Sequence, residues 1–135
     1  MFKSKTKIRV RYAETDQMGY VYYGNYAAFY EVARVEALRD VGLSYKMLED
    51  NGIMMPVLNL QCNYFKPAKY DDLLEIETTI SNLPGVRCRF EYEIKNESGE
   101  LLNKGETTLV FIDMKSNRPT KCPVFLEEKL KPYFS

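Results

Sequence analysis

The chain contains no histidine and no tryptophan. The first absence removes imidazole acid–base chemistry, Ser-His-Asp and Cys-His nucleophilic pairs, and His-ligated metals together. Proton transfer is left to Asp, Glu, Lys, Tyr, Cys or water. Cysteine is scarce as well: Cys62, Cys88 and Cys122 are odd in number, far apart and without a CxxC spacing. Neither a disulfide framework nor a zinc site is expected, and a reducing cytoplasm fits. No apolar run approaches the roughly 20 residues needed to span a bilayer, and the opening MFKSKTKIRV has no apolar signal core. An excess of charge of one sign is also missing, since Lys+Arg and Asp+Glu number 19 each. A basic nucleic-acid arm and an acidic tail are both disfavoured. There are no repeats, no low-complexity tracts and no Gly-rich phosphate loop, so no cofactor is expected.

What is present is the material for one core. With 135 residues, of which 45% are hydrophobic and 28% charged, a single domain over 1–135 is expected. Ile8, Val10 and Tyr12 alternate with Lys7, Arg9 and Arg11, which predicts a half-buried first strand. A polar, glycine-bearing loop follows from Ala13 to Gly24. Asn25 then reads as an N-cap, and Tyr26 to Val41 as a long helix stopped by Gly42. Its apolar residues, Val32 and Val35 among them, spread around much of the circumference, which predicts cover on several sides. A shorter helix over 44–50 ends at Asn51-Gly52.

The remainder predicts strands with apolar even positions: Leu58, Leu60, Cys62 and Tyr64, then Leu74, Ile76 and Ile80, then Val86, Cys88, Phe90, Tyr92 and Ile94. A fourth strand over 101–113 is apolar without a break from Leu109 to Ile112, as if covered on both faces, and a helical turn over 124–130 closes the chain. Strand, long helix and four consecutive strands describe an α+β fold, a mainly antiparallel five-stranded sheet with a helix on its face. Such a sheet cannot wrap a helix that is apolar on most sides without strong curvature, a partner subunit, or both.

Chemistry concentrates in Arg11 to Tyr30, RYAETDQMGYVYYGNYAAFY, which holds six of the eleven tyrosines, a pair of carboxylates and two glycines before a helix N-terminus. The unpaired N–H groups of that terminus can polarise a carbonyl or hold an oxyanion. Asp16, upstream in the loop, can face the same carbonyl as nucleophile or as base for a water. An aspartate in T-D-Q-M-G is also an ordinary turn residue, and Glu14 is expected to be solvated or paired with Arg11 or Arg34.

The segment from Tyr12 to Tyr26, YAETDQMGYVYYGNY, resembles the Y-x-x-T-D-x-x-G-x-V-x-(H/Y)-x-N-Y signature of hot-dog-fold acyl-CoA thioesterases, in the branch named for 4-hydroxybenzoyl-CoA thioesterase. The likeness continues through Glu31, Ala33 and Arg34, Phe65-Lys66-Pro67-Ala68, Asp71-Asp72-Leu73, Gly99-Glu100-Leu101 and Arg118-Pro119. It implies a hot-dog fold, a curved antiparallel five-stranded sheet wrapped around one long central helix, and a homodimer or homotetramer. It also implies that Asp16 is the catalytic carboxylate and that backbone N–H groups among Tyr22, Tyr23, Gly24 and Asn25 form the oxyanion hole. Many relatives carry His where this chain has Tyr23, so a histidine-assisted route is excluded and Tyr23 is expected to act through its backbone N–H, with orientation of a water by its phenol as the alternative.

By the same resemblance Arg87 occupies the position of a basic residue that meets the CoA nucleotide, and Lys66 and Arg89 are further candidates for its phosphates. Tyr26, Met54 and Met55, with Phe29 and Tyr30, are candidates for substrate contact along the acyl pocket. The implied activity is hydrolysis of a small or medium acyl-CoA to free acid and CoA, with an acyl-carrier-protein thioester as an alternative donor. A non-catalytic acyl-CoA sensing module is the reading from another class; a hot-dog dehydratase is disfavoured by the missing histidine.

Overall fold

The computed structural model describes residues 1–134. Strand β1 (Phe2–Arg9) leads through a loop into helix α1 (Tyr26–Asp40) and the short α2 (Tyr45–Asp50). Then come β2 (Ile53–Met54), β3 (Val57–Tyr64), β4 (Leu73–Ile80), β5 (Arg87–Lys95), β6 (Leu101–Val110), β7 (Ile112–Asp113), β8 (Arg118–Pro119) and α3 (Val124–Leu130). Five strands form one antiparallel sheet in the order β1-β4-β5-β6-β3, and β2, β7 and β8 form a small second sheet. Among the described residues no helix is long and apolar enough to cross a membrane.

The first strand lies earlier than its alternation suggests. It pairs from Phe2↔Ile80 to Arg9↔Leu73, burying Phe2 and Ser4. Tyr12 is 74% exposed, outside the strand. There the Arg11 N–H donates to Glu14 Oε1 at 2.8 Å and the Thr15 hydroxyl to the Tyr12 carbonyl at 2.9 Å, curling the chain into a 3-10 turn over Tyr12–Glu14.

Helix α1 buries one stripe, Tyr26, Phe29, Tyr30, Ala33, Arg34, Ala37 and Leu38, at the three- and four-residue spacing of a single face. Val32 is 45% exposed. The expected cover on several sides is therefore not supplied within one chain: the inner face of the sheet meets one side of the helix only. Nor does Asn25 cap the helix. Its backbone is already helical (φ −78°, ψ −15°) within a 3-10 turn over Tyr23–Asn25, and its side-chain amide donates to the Glu14 carbonyl at 2.9 Å. The other end stops as predicted: Gly42 at φ +86° donates to the Arg39 carbonyl at 2.8 Å, and Leu43 to that of Leu38 at 3.0 Å.

Strands β4 and β5 bury their even positions as the sequence predicts, although Val86 lies before β5 and is exposed. Strand β3 departs from expectation. Leu58, Leu60 and Tyr64 are 53%, 42% and 51% exposed, because β3 is an edge strand whose free side nothing among the described residues covers. Only Cys62 is half-buried there.

The helix is keyed to the sheet by Tyr30. Its ring stacks on Tyr92 with centroids 4.2 Å apart, and its hydroxyl donates to Asn103 Oδ1 and lies 3.3 Å from Cys62 Sγ. The close approach depends on Gly105 in β6, where a Cβ would fall inside the Tyr30 phenol. Gly105→Ala is therefore expected to destabilise the fold by about 3 kcal/mol, the upper end of overpacking costs. Urea unfolding checks this, and a change below about 0.5 kcal/mol would show that Tyr30 is not held there.

Candidate active site

The loop before α1 is a small hairpin. Tyr22 donates to the Glu14 carbonyl at 2.9 Å, Thr15 bridges Val21, and Asp16 donates to the Tyr20 carbonyl at 2.8 Å. Gly19 closes the turn at φ +79°, a conformation that favours glycine. Asp16 is half-buried, and its Oδ1 accepts the N–H groups of Met18 at 2.9 Å and Tyr20 at 3.2 Å. Its other oxygen has no hydrogen-bond or ion-pair partner among the described residues. One oxygen thus orients the carboxylate and the other is left without an internal partner among the described residues. Glu14 is committed otherwise, with both oxygens turned to Arg11, in an ion pair at 3.2 Å and a bond to its N–H.

Across the hairpin stands the start of α1. A helix cannot satisfy its own first N–H groups. Of the four candidates, Tyr22 is bonded to Glu14, and Asn25 donates to the Tyr22 carbonyl at 2.9 Å. The N–H groups of Tyr23 and Gly24 donate to no group among the described residues, and the partial positive charge of the helix end lies behind them. A Cβ on Gly24 would lie 2.7 Å from the ring of Tyr22, a half-exposed side chain that would have to swing aside. The Tyr22 and Tyr23 rings are tilted together at 4.7 Å, and the hydrogen bond with Tyr23 pushes the Tyr22 phenol above its ordinary pKa.

Tyr64, which the sequence places only on the apolar face of a strand, joins this group. Its hydroxyl donates to the Tyr23 carbonyl at 3.3 Å, and its ring meets Tyr26 edge-on at 5.3 Å. Tyr26 itself is buried, which raises its phenol. The alternation that predicted β3 places Tyr64 on the same face as Cys62, and nothing in it signals the partner across 41 residues of chain.

The remaining candidates lie apart from one another. Lys66 is engaged with Glu100 at 2.5 Å, and Arg89 lies on the outer face of the sheet between Glu91, at 2.7 Å, and Glu106. That face carries a hollow of about 520 Å³ lined by Arg89, Glu77, Glu91, Glu93 and Lys104, away from the helix. Arg87 has no ion-pair partner among the described residues. Met54 and Met55 meet Tyr45 and Leu48 in a crevice of only about 20 Å³, which includes neither Asp16 nor the turn at Tyr23. The structure thus brings together Asp16, Tyr22, Tyr23, Gly24, Asn25 and Tyr26, and leaves Arg89, Met54 and Met55 elsewhere.

Cys88 and Cys122 are withdrawn from thiolate chemistry by burial. Cys88 is buried in the core, which pushes its thiol up, and burial likewise pushes Cys122 up to about 12. At pH 8 a thiol of that pKa is ionised to only about one part in 10⁴. Among the described residues no group of His, Cys, Asp and Glu could hold a metal ion. Native protein is accordingly expected to react with a thiol-trapping reagent at Cys62 at most, and denatured protein at all three cysteines. Rapid native modification of Cys88 or Cys122, located by peptide mapping, would contradict this burial.

Residues 18–103 match the model of the thioesterase superfamily. The chain is 36% identical over 124 residues to the acyl-CoA thioester hydrolase YbgC of Escherichia coli, covering 92% of each protein. It is also similar to the crystal structure of DHNA-CoA thioesterase from Staphylococcus aureus, at 39% identity and a TM-score of 0.85, covering 99% of this chain and 85% of that one. The structure of 4-hydroxybenzoyl-CoA thioesterase with 4-hydroxybenzoyl-CoA, at 20% identity and a TM-score of 0.85 over 96% of this chain and 99% of that one, shares the fold. The chain belongs to the thioesterase superfamily, with the hot-dog fold, and is a thioester hydrolase.

Proposed function

We propose that the chain hydrolyses the thioester of a small or medium acyl-CoA to the free acid and CoA, with Asp16 as its catalytic carboxylate. The observation that carries this is the pairing of an anchored carboxylate with one free oxygen and two unpaired helix-start N–H groups, tied together by one hairpin. The carbonyl oxygen lies against Tyr23 N–H and Gly24 N–H, which take up its developing negative charge. Asp16 then acts in one of two ways. It attacks the carbonyl carbon, the C–S bond breaks and a mixed anhydride forms for water to cleave, or it removes a proton from a water whose oxygen attacks directly. In both, the leaving thiolate, of pKa about 8–9, needs little help from an acid. The names of similar enzymes, an acyl-CoA thioester hydrolase and a DHNA-CoA thioesterase, support a CoA donor. Of the three basic candidates Arg87 alone has no ion pair among the described residues, whereas Lys66 and Arg89 are engaged with carboxylates, so Arg87 is the one left to meet its phosphates.

The working unit is a dimer, completed at β3. An edge strand that exposes Val57, Leu58, Leu60 and Tyr64 is a template for another strand, and Val32 on α1 adds apolar surface. A second copy there supplies the cover that the helix and edge lack in one chain. A species of single-chain mass in sedimentation at micromolar concentration would contradict this.

Thiol release from a panel of acyl-CoAs, acetyl to palmitoyl with benzoyl and 4-hydroxybenzoyl, tests the activity, with the protein's own thiols blanked. Asp16→Asn is expected to lower turnover by about 10²-fold or more while leaving fold and assembly intact. Turnover near that of the unaltered protein would remove Asp16 from the chemistry. Binding without turnover across the panel would favour an acyl-CoA sensor, and neither binding nor turnover a carrier-protein donor.

A further inference from the structure

We propose that Tyr64 is a positioning residue for the oxyanion site, its hydroxyl holding the Tyr23–Gly24 peptide so that the Gly24 N–H faces the thioester; this rests on the reading of the site given above. The Tyr64 hydroxyl donates to the Tyr23 carbonyl at 3.3 Å. That carbonyl belongs to the same peptide unit as the Gly24 N–H, and in a planar trans peptide the C=O and N–H point in opposite directions. Whatever fixes the Tyr23 oxygen therefore fixes the direction of the Gly24 N–H. A flip of this unit would turn a carbonyl oxygen toward the developing oxyanion and remove one of its two donors.

Such a flip has to be resisted. Gly24 carries no side chain to restrict rotation about its backbone, and the 3-10 bond that the Tyr26 N–H makes to the Tyr23 oxygen is of a type with poorer geometry than an α-helical bond. Tyr64 adds a donor from outside the turn. It is carried by β3, and two residues earlier on the same face Cys62 is held by Tyr30 and by Asn103 Nδ2 at 3.1 Å, both in the buried core. The edge contact with the buried Tyr26 ring fixes its other side. The turn is thereby tied to the five-stranded sheet, and a donor on the carbonyl also polarises the peptide toward a stronger N–H.

Tyr64→Phe removes the hydroxyl and keeps the ring. It is expected to lower kcat for acyl-CoA hydrolysis about 10-fold with KM unchanged within about twofold, a part of the loss seen when an oxyanion donor is deleted. It is also expected to shift the Gly24 amide resonance and to quicken its hydrogen exchange. A kcat within twofold of the unaltered protein, a loss confined to KM, or a Gly24 amide that does not move would each overturn the proposal. If the unaltered protein hydrolyses none of the panel, the functional reading fails by itself, and the Gly24 resonance still decides whether Tyr64 orients that peptide. Should Tyr64→Phe fail to fold, the unaltered protein decides: a Tyr64 hydroxyl proton protected from exchange supports the bond, and a freely exchanging one refutes it.

Discussion

The first N–H groups of a helix have no partner within it, and the way α1 disposes of them organises the site. One is turned back into the hairpin at Glu14 and one closes the 3-10 turn at Tyr22, while those of Tyr23 and Gly24 are left open just past the hairpin that carries Asp16. The loop that carries the carboxylate is built around the same problem. Asp16 Oδ1 accepts two N–H groups of its own turn, so the side chain is oriented by the backbone it serves. No cation beside the carboxylate and no imidazole is required for that arrangement.

An open helix end is useful only if it does not drift, and here the interior holds it. Tyr30 lies flat on Tyr92 against a glycine in β6, and its hydroxyl is bonded to Asn103 rather than left bare in the core. A buried phenol without a partner would cost about 1–3 kcal/mol, so this network secures the depth of α1 as well as its register. One helical turn away Tyr26 begins the same buried stripe, and Tyr64 reaches from the sheet edge to the turn before it. Arg34 is buried with no carboxylate partner among the described residues and donates from Nε to the Tyr45 hydroxyl at 3.0 Å, which ties α2 to the helix.

The strand alternation, the long helix and its stop at Gly42 were legible in the sequence because each rests on local spacing. The glycine-bearing loop that carries Asp16 was legible through its motif, but its form, a hairpin closed by the Thr15–Val21 bridge, was not. What failed were inferences in which a residue type has two uses. Asn25 is a good cap by type, but one extra 3-10 turn places it inside the helical backbone, where its amide finds Glu14 instead. Leu58, Leu60 and Tyr64 alternate as an apolar face should, yet alternation states which face is apolar and not whether anything in the same chain covers it. The basic candidates failed to converge for a similar reason: on a half-exposed strand Arg89 points away from the helix, where Glu91 and Glu106 meet it. The Tyr64 contact joins residues distant in sequence, which no spacing rule reaches.

The most direct test is a crystal structure of the protein with an acyl-CoA ketone analogue, in which a methylene between sulfur and carbonyl prevents cleavage. The ketone oxygen should lie about 2.7–3.1 Å from the N–H nitrogens of Tyr23 and Gly24, with the free oxygen of Asp16 facing the carbonyl carbon or a water beside it. A ketone bound away from that turn, or seated on it with Asp16 turned aside, would contradict the account.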